Sequence, residues 1–170
     1  MNINKYRFLH TKKYVSVNLK NFASEGQCLD VTGFALNSGA DIVELISEGL
    51  NFSIQENFVR KFRELTSAFD ALFLISSRTD AAMAFCADGV VVSEGDLNPC
   101  MIRKLAGENF IIGQKISSKK ELSCDTDIAI SSTIISDTEI PVFCKTELAD
   151  FFSDSLGKIA VELTPELLQH

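Results

Sequence analysis

The residues with chemistry to offer collect just past short apolar runs. Ser76-Ser77-Arg78 follow Leu72-Phe73-Leu74-Ile75, and Ser93-Glu94-Gly95-Asp96 follow Val90-Val91-Val92. Glu44 lies inside Asp41–Ile46, Lys115 comes after Phe110–Gly113, Ser131-Ser132 end Asp127–Ile130, and Lys145 comes after Val142-Phe143-Cys144. Four carboxylates at such ends, Glu44, Glu48, Glu94 and Asp96, could form an oxygen-only site for a hard cation such as Mg²⁺ or Ca²⁺. Solvated loop charges on an acidic chain are the simpler reading of the same four. Lys115 and Lys145 could grip a phosphate as point charges. Cys144 has no base to activate it, and Ser76-Ser77 no Ser-His-Asp arrangement, because the chain holds only His10 and His170, both near its ends.

These residues need elements to position them. Leu72 to Asp96 contains an apolar run, a helix-forming stretch after Thr79-Asp80 (Ala81–Phe85), the breaker Asp88-Gly89 and a β-branched run. Two wholly apolar strands around one helix predict a parallel βαβ unit, because crossover helices bury both faces of the sheet. Chemistry in such sheets sits past the carboxyl ends of the strands.

The same alternation runs along the chain. Strands are expected at Tyr14–Leu19, Asp41–Ile46, Ala71–Ile75, Val90–Val92, Phe110–Gln114, Asp127–Ser132, Ile140–Cys144 and Lys158–Glu162. Helices are expected at Leu29–Ser38, at Asn57–Phe69 with its apolar face of Phe58, Val59, Phe62, Leu65 and Phe69, from Asn98-Pro99 to Gly107, and at Thr146–Ser155. Ser117–Leu122 has room for one or two helical turns, and Thr164-Pro165 opens a short terminal helix. Eight strands predict a TIM-barrel-like (β/α)₈ domain over residues 1–170, with an open doubly wound sheet as the alternative. Such barrels normally need roughly 200 residues or more. The shortening falls between Ser132 and Pro141, where about eight residues cannot supply the roughly dozen of a helical crossover. The helix between strands six and seven is expected to be missing.

The composition narrows the partners. The chain has 170 residues, 46% of them hydrophobic, and a net charge of −7. That balance excludes a nucleic-acid surface, which needs clustered Lys and Arg. No apolar run approaches the roughly 18 residues of a membrane span, and Met1–Tyr14 lacks a signal-peptide core. Five cysteines without a Cys-x-x-Cys pair predict buried thiols in a reducing cytoplasm rather than a zinc site or disulfides. A homo-oligomer is left open.

Three runs, in order, resemble thiamin phosphate synthase and its thiazole tautomerase relative. Gly39–Leu45 is similar to that family's second strand, which ends Gln-Leu-Arg-x-Lys. Leu74–Asp96 is similar to Ile-Asn-Asp-Arg-x-Asp-x-Ala followed by Ala-Asp-Gly-Val-His-Leu-Gly-Gln-x-Asp. Arg103–Gly113 is similar to Ala-Arg-x-x-Leu-Gly-x-x-x-Ile-Ile-Gly. The resemblance implies a cytoplasmic (β/α)₈ enzyme of thiamin biosynthesis that joins a pyrimidine pyrophosphate to a thiazole phosphate and releases pyrophosphate with Mg²⁺. It implies catalytic duty for Arg78 and Lys115, substrate contacts at Glu44, Ser76, Ser77, Ser131 and Lys145, and magnesium at Asp96.

Several of these positions depart from the family pattern. Glu44 stands at the Gln position, Ile46 at the Arg, and Glu48 near the Lys. Replacing a cation by an anion about 4 Å from a phosphate swings the interaction by several kcal/mol even at an effective dielectric near 20. Ser76-Ser77 replace an Asn-Asp pair, and a hydroxyl is a poor substitute for a carboxylate on Mg²⁺. Asp96 and Arg78 match, and Lys115 aligns with a phosphate-binding Ser. The family's Gly-Pro-x-x-x-Thr-x-x-Lys run has no counterpart after Ser131, and Cys144-Lys145-Thr146 stand at its Gly-Gly-Ile. The expectation is a kept scaffold with weakened phosphate chemistry; the alternative is an inactive barrel that binds a small molecule or a protein.

Overall fold

The computed structural model of the chain describes residues 10–133, 135, 138, 140–145 and 158–165. Its strands are β1 (Lys13–Val17), β2 (Ile42–Leu45), β3 (Leu72–Ser76), β4 (Gly89–Val92), β5 (Ile111–Ile116), β6 (Ile128–Ser131), β7 (Val142–Lys145) and β8 (Ile159–Leu163). They pair in sequence order, all parallel, and β8 closes on β1. The barrel is therefore closed, and the open-sheet alternative falls. Helices α1 (Glu25–Asn37), α2 (Glu56–Ala68), α3 (Thr79–Ala84) and α4 (Pro99–Ala106) cover β1 to β5 from outside. None of the described residues between β6 and β7 is helical, as the short connection requires. The expected helix Thr146–Ser155 and the residues after Pro165 lie outside the described residues, as do residues 1–9.

Alternation along each strand separates two cores. Tyr14, Ile42, Leu72, Leu74, Val91, Ile111, Ile128, Ile130, Phe143 and Ala160 fill the barrel. The opposite faces, among them Val15, Val43, Phe73, Val90 and Ile112, pack under the helices. Phe62 of α2 meets Phe73 at 5.3 Å between ring centroids and Phe58 at 5.8 Å, which seats that helix on β3.

The first helix starts earlier than the expected Leu29, because α1 begins at Glu25. Ser24 Oγ accepts from the Gln27 N–H at 3.1 Å, and Gln27 Oε1 accepts from the Ala23 N–H at 2.9 Å. That reciprocal pair caps the helix in spite of Gly26 in its first turn.

A repeated clasp ties the amino-terminal rim. The aspartate before each of β2, β4 and β6 reaches back to the preceding strand. Asp41 Oδ2 accepts from the Lys13 N–H at 2.9 Å, Asp88 Oδ2 from Phe73 at 2.8 Å, and Asp127 Oδ2 from Ile112 at 2.8 Å. Arg63 of α2 then pairs with Asp88, and Arg103 of α4 with Asp127, each at 2.7 Å. The corresponding residue before β8 is Lys158, whose Nζ donates to the Thr11 carbonyl.

One expectation about the thiols is corrected. Only Cys28 is buried; Cys86 and Cys124 are exposed, and Cys100 and Cys144 are half-buried. Cys86 sits at φ 53° in the turn after α3, and Cys124 in the loop before β6, so chain reversals outside the core place both. No helix among the described residues is long and apolar enough to cross a membrane.

Gly89 is needed at the β4–β5 contact, since a Cβ there would lie 2.1 Å from the Ile111 carbonyl oxygen. Gly89→Ala should cost about 3 kcal/mol or more by overpacking, read as a lower urea midpoint. Gly26→Ala, with no neighbour closer than Ser24 Oγ at 3.8 Å, should be neutral or slightly stabilising. Equal midpoints for the two variants would contradict this packing.

Candidate functional site

A cavity of about 260 Å³ opens inside the carboxyl-terminal end of the barrel, lined by residues of β1, β2, β5, β6, β7 and β8. At its base Glu44 is wholly buried. Its Oε2 accepts from the Tyr14 hydroxyl at 2.7 Å, and its Oε1 accepts from Lys115 Nζ at 2.7 Å. A buried carboxylate is tolerated only when its charge is paired and its oxygens are bonded, and these two donors meet both needs. The three side chains come from β1, β2 and β5, so the ion pair spans the barrel. Burial pushes the Tyr14 phenol well above its usual range, and the adjacent Glu44 charge adds to the shift. Tyr14 therefore remains a neutral donor.

Nearer the opening, Lys145 of β7 and Glu162 of β8 face the same cavity with Ser16 of β1. Glu162 Oε1 accepts from Asn21 Nδ2 at 2.9 Å. Of the residues predicted from sequence, Glu44, Lys115 and Lys145 thus meet in one cavity.

The others lie elsewhere on the rim. Ser77, at φ 59°, donates from Oγ to Asp96 Oδ2 at 2.8 Å. The same Oδ2 accepts from the Ser93 N–H at 2.8 Å, so Asp96 braces the loop after β4. Ser76 Oγ accepts from the Ser47 N–H at 2.7 Å and ties β3 to the loop after β2. Ser131 is buried, and its Oγ accepts from the Thr133 N–H at 3.2 Å.

Arg78 points its charge at a neighbour. It donates from Nε and Nη2 to the two Asp80 oxygens at 2.8 and 2.6 Å and lies 5.5 Å over the Phe52 ring. That bidentate bond holds the Asp80 carboxyl at about 2. Arg78, Ser76, Ser77, Asp96 and Ser131 do not line the cavity.

The four carboxylates considered as a cluster do not converge. Glu44 is spent on Tyr14 and Lys115, Glu48 pairs with Lys20 at 3.0 Å, and Asp96 braces its own loop. Among the described residues no three His, Cys, Asp or Glu side chains come together where a metal ion could sit. The Ser77–Asp96 pair supplies one carboxylate with one oxygen already bonded twice, which is a poor fit to Mg²⁺.

Tyr14, Ser16 and Glu162 escaped the sequence reading. The period-2 alternation of Tyr14-Val15-Ser16-Val17 put Tyr14 and Ser16 on one face, but nothing local said that this face was the inside. Glu162 stood at the end of the last strand and carried the same signal as Glu44.

A family model described as thiamine monophosphate synthase matches residues 17–142. The thiamine-phosphate synthase of Haloarcula marismortui is 30% identical over 99 residues, which cover 58% of this chain and 47% of that protein. The thiamine-phosphate synthase of Campylobacter jejuni serotype O:23/36 is 32% identical over 116 residues, 65% of this chain and 55% of that one. The chain thus spans about half the length of the curated relatives it matches. A solved thiamine phosphate pyrophosphorylase from Pyrococcus furiosus superposes with a TM-score of 0.72 at 18% identity, covering 95% of this chain and 87% of that one; at that identity the likeness concerns the fold.

Tyr14→Phe should leave one oxygen of buried Glu44 without a donor and cost about 1–3 kcal/mol. The pH dependence has a definite sign. The folded-state phenol titrates above the unfolded value of 10.0, so its stabilisation is complete below pH 10 and drains away above it. Urea midpoints measured on both sides of pH 10 should show an alkaline fall that is shallower in Tyr14→Phe. Parallel curves for the two proteins would refute the buried pairing.

Proposed function

The chain belongs to the thiamine monophosphate synthase family, and from that premise we propose that it serves thiamin biosynthesis in the cytoplasm as a small-molecule-binding barrel whose power to expel pyrophosphate is lost or greatly reduced. The observation that carries this reading is the Lys115–Glu44 pair at 2.7 Å. Displacement of pyrophosphate loads negative charge onto the leaving group, and catalysis needs cations already aimed at it. Here the lysine inside the mouth is neutralised by a carboxylate with no exposure to water. Arg78 is likewise engaged by Asp80, and Asp96 stands beside Ser77 where two carboxylates would hold magnesium better. What persists is a concave, mixed-charge cavity close to the roughly 300–1,000 Å³ of ligand pockets. A phosphorylated small molecule remains within its reach through Lys145.

An active synthase is the second reading, and one observation favours it. The Lys145 ammonium makes no hydrogen bond or ion pair among the described residues, and Lys145 lines the cavity, so one cation remains for a phosphate.

Incubation at high protein concentration with the pyrimidine pyrophosphate, the thiazole phosphate and Mg²⁺ should yield no thiamin phosphate above background. Calorimetry should show no Mg²⁺-dependent binding of pyrophosphate. Ser77→Asp, which sets a second carboxylate beside Asp96, should tighten Mg²⁺ binding by about tenfold or more, since carboxylate ligands dominate affinity for hard cations. Product formation by the unaltered protein would establish the second reading instead.

A further inference from the structure

The charges of the mouth cavity fall into one satisfied pair and one separated pair. Glu44 and Lys115 cancel each other at 2.7 Å. Lys145 and Glu162 do not: both line the cavity, and neither forms an ion pair among the described residues. Among the described residues the only bond to the Glu162 carboxylate comes from the Asn21 amide at 2.9 Å, which brings no charge. Strand register fixes how far apart these two residues stand. Lys145 lies opposite Ala160 on β8, and Glu162 is the next inward residue along that strand. With strands about 4.8 Å apart and a rise of about 3.3 Å per residue, the two Cα atoms are about 8 Å apart. A positive and a negative side chain thus rise from neighbouring strands at the opening without pairing with each other, both within reach of one short molecule.

Resting on the reading of this cavity as a small-molecule site, we propose that its ligand is a compact zwitterion, with an anionic group held by Lys145 and an ammonium or other cationic centre held by Glu162. The four side chains sum to no net charge. Both rim groups are exposed, and a ligand with two opposite charges gives each of them a partner of complementary sign. A purely anionic ligand of high charge meets Lys145 alone and is repelled by Glu162. The Tyr14–Glu44–Lys115 floor beneath offers no further uncompensated charge.

The test is a calorimetric and ¹⁵N-NMR titration of the full chain with 3-aminopropylphosphonate. Propylphosphonate and propylamine, which share its skeleton and carry one charge each, serve as controls. The zwitterion should bind about tenfold more tightly than either control, an advantage that a second ion pair can supply. Lys145→Ala should abolish the advantage over propylamine, and Glu162→Gln the advantage over propylphosphonate. Equal binding of propylphosphonate and the zwitterion would overturn the proposal, as would the absence of any saturable shift at millimolar probe. Thiamin phosphate formation in the separate turnover assay would overturn the functional reading while leaving the charge pairing to be decided by the titration.

Discussion

A carboxylate with no access to water sits in the middle of this barrel, and the mouth is arranged around its neutralisation. Glu44 needs two donors, and the fold brings them from opposite sides: a phenol on β1 and an ammonium on β5. Removing either partner would strand a charge in a medium that cannot solvate it. The pair therefore binds together the halves of the barrel and at the same time decides what the cavity can hold. A lysine committed to a buried carboxylate is a poor clamp for a polyanion. Structure and chemistry are set by the same contact.

The two rims of the barrel solve different problems. At the amino-terminal rim Asp41, Asp88 and Asp127 hold backbone N–H groups, and arginines from α2 and α4 cover two of them. These carboxylates are occupied and structural. At the carboxyl-terminal rim Ser77, Ser93 and Asp96 form a small brace, while Lys145 and Glu162 line the cavity without an ion pair among the described residues. The charge that this mouth presents is mixed rather than an excess of cations.

The architecture was largely legible in the sequence. Apolar runs such as Leu72–Ile75 and Val90–Val92 could be strands only if both faces were covered, and the short gap after Ser132 foretold a connection without helix among its described residues. Asp88-Gly89 marked a strand start whose glycine turned out to be needed against Ile111. The site was half legible. Glu44 drew notice because its charge is wrong for a phosphate contact, yet its bond to Lys115 crosses 71 positions of chain. Only the closure of the barrel brings those two together, and no local pattern encodes it. Arg78 fits the family run, and Asp80 two residues away, which the run itself contains, engages its guanidinium. The start of α1 was missed because Gly26 masked the reciprocal cap between Ser24 and Gln27.

The last strand of the barrel has a lopsided attachment. It shares five register pairs with β1 but only two with β7, its neighbour in sequence. The Lys158–Thr11 bond that seals the ring joins residues 147 positions apart. Such a closure cannot be rewarded until almost the whole chain is in place, because the entropy of so long a loop is lost before any contact repays it. The ring is thus sealed by strands far apart along the chain, and until β8 has formed the cylinder is incomplete, with β1 exposed along one side.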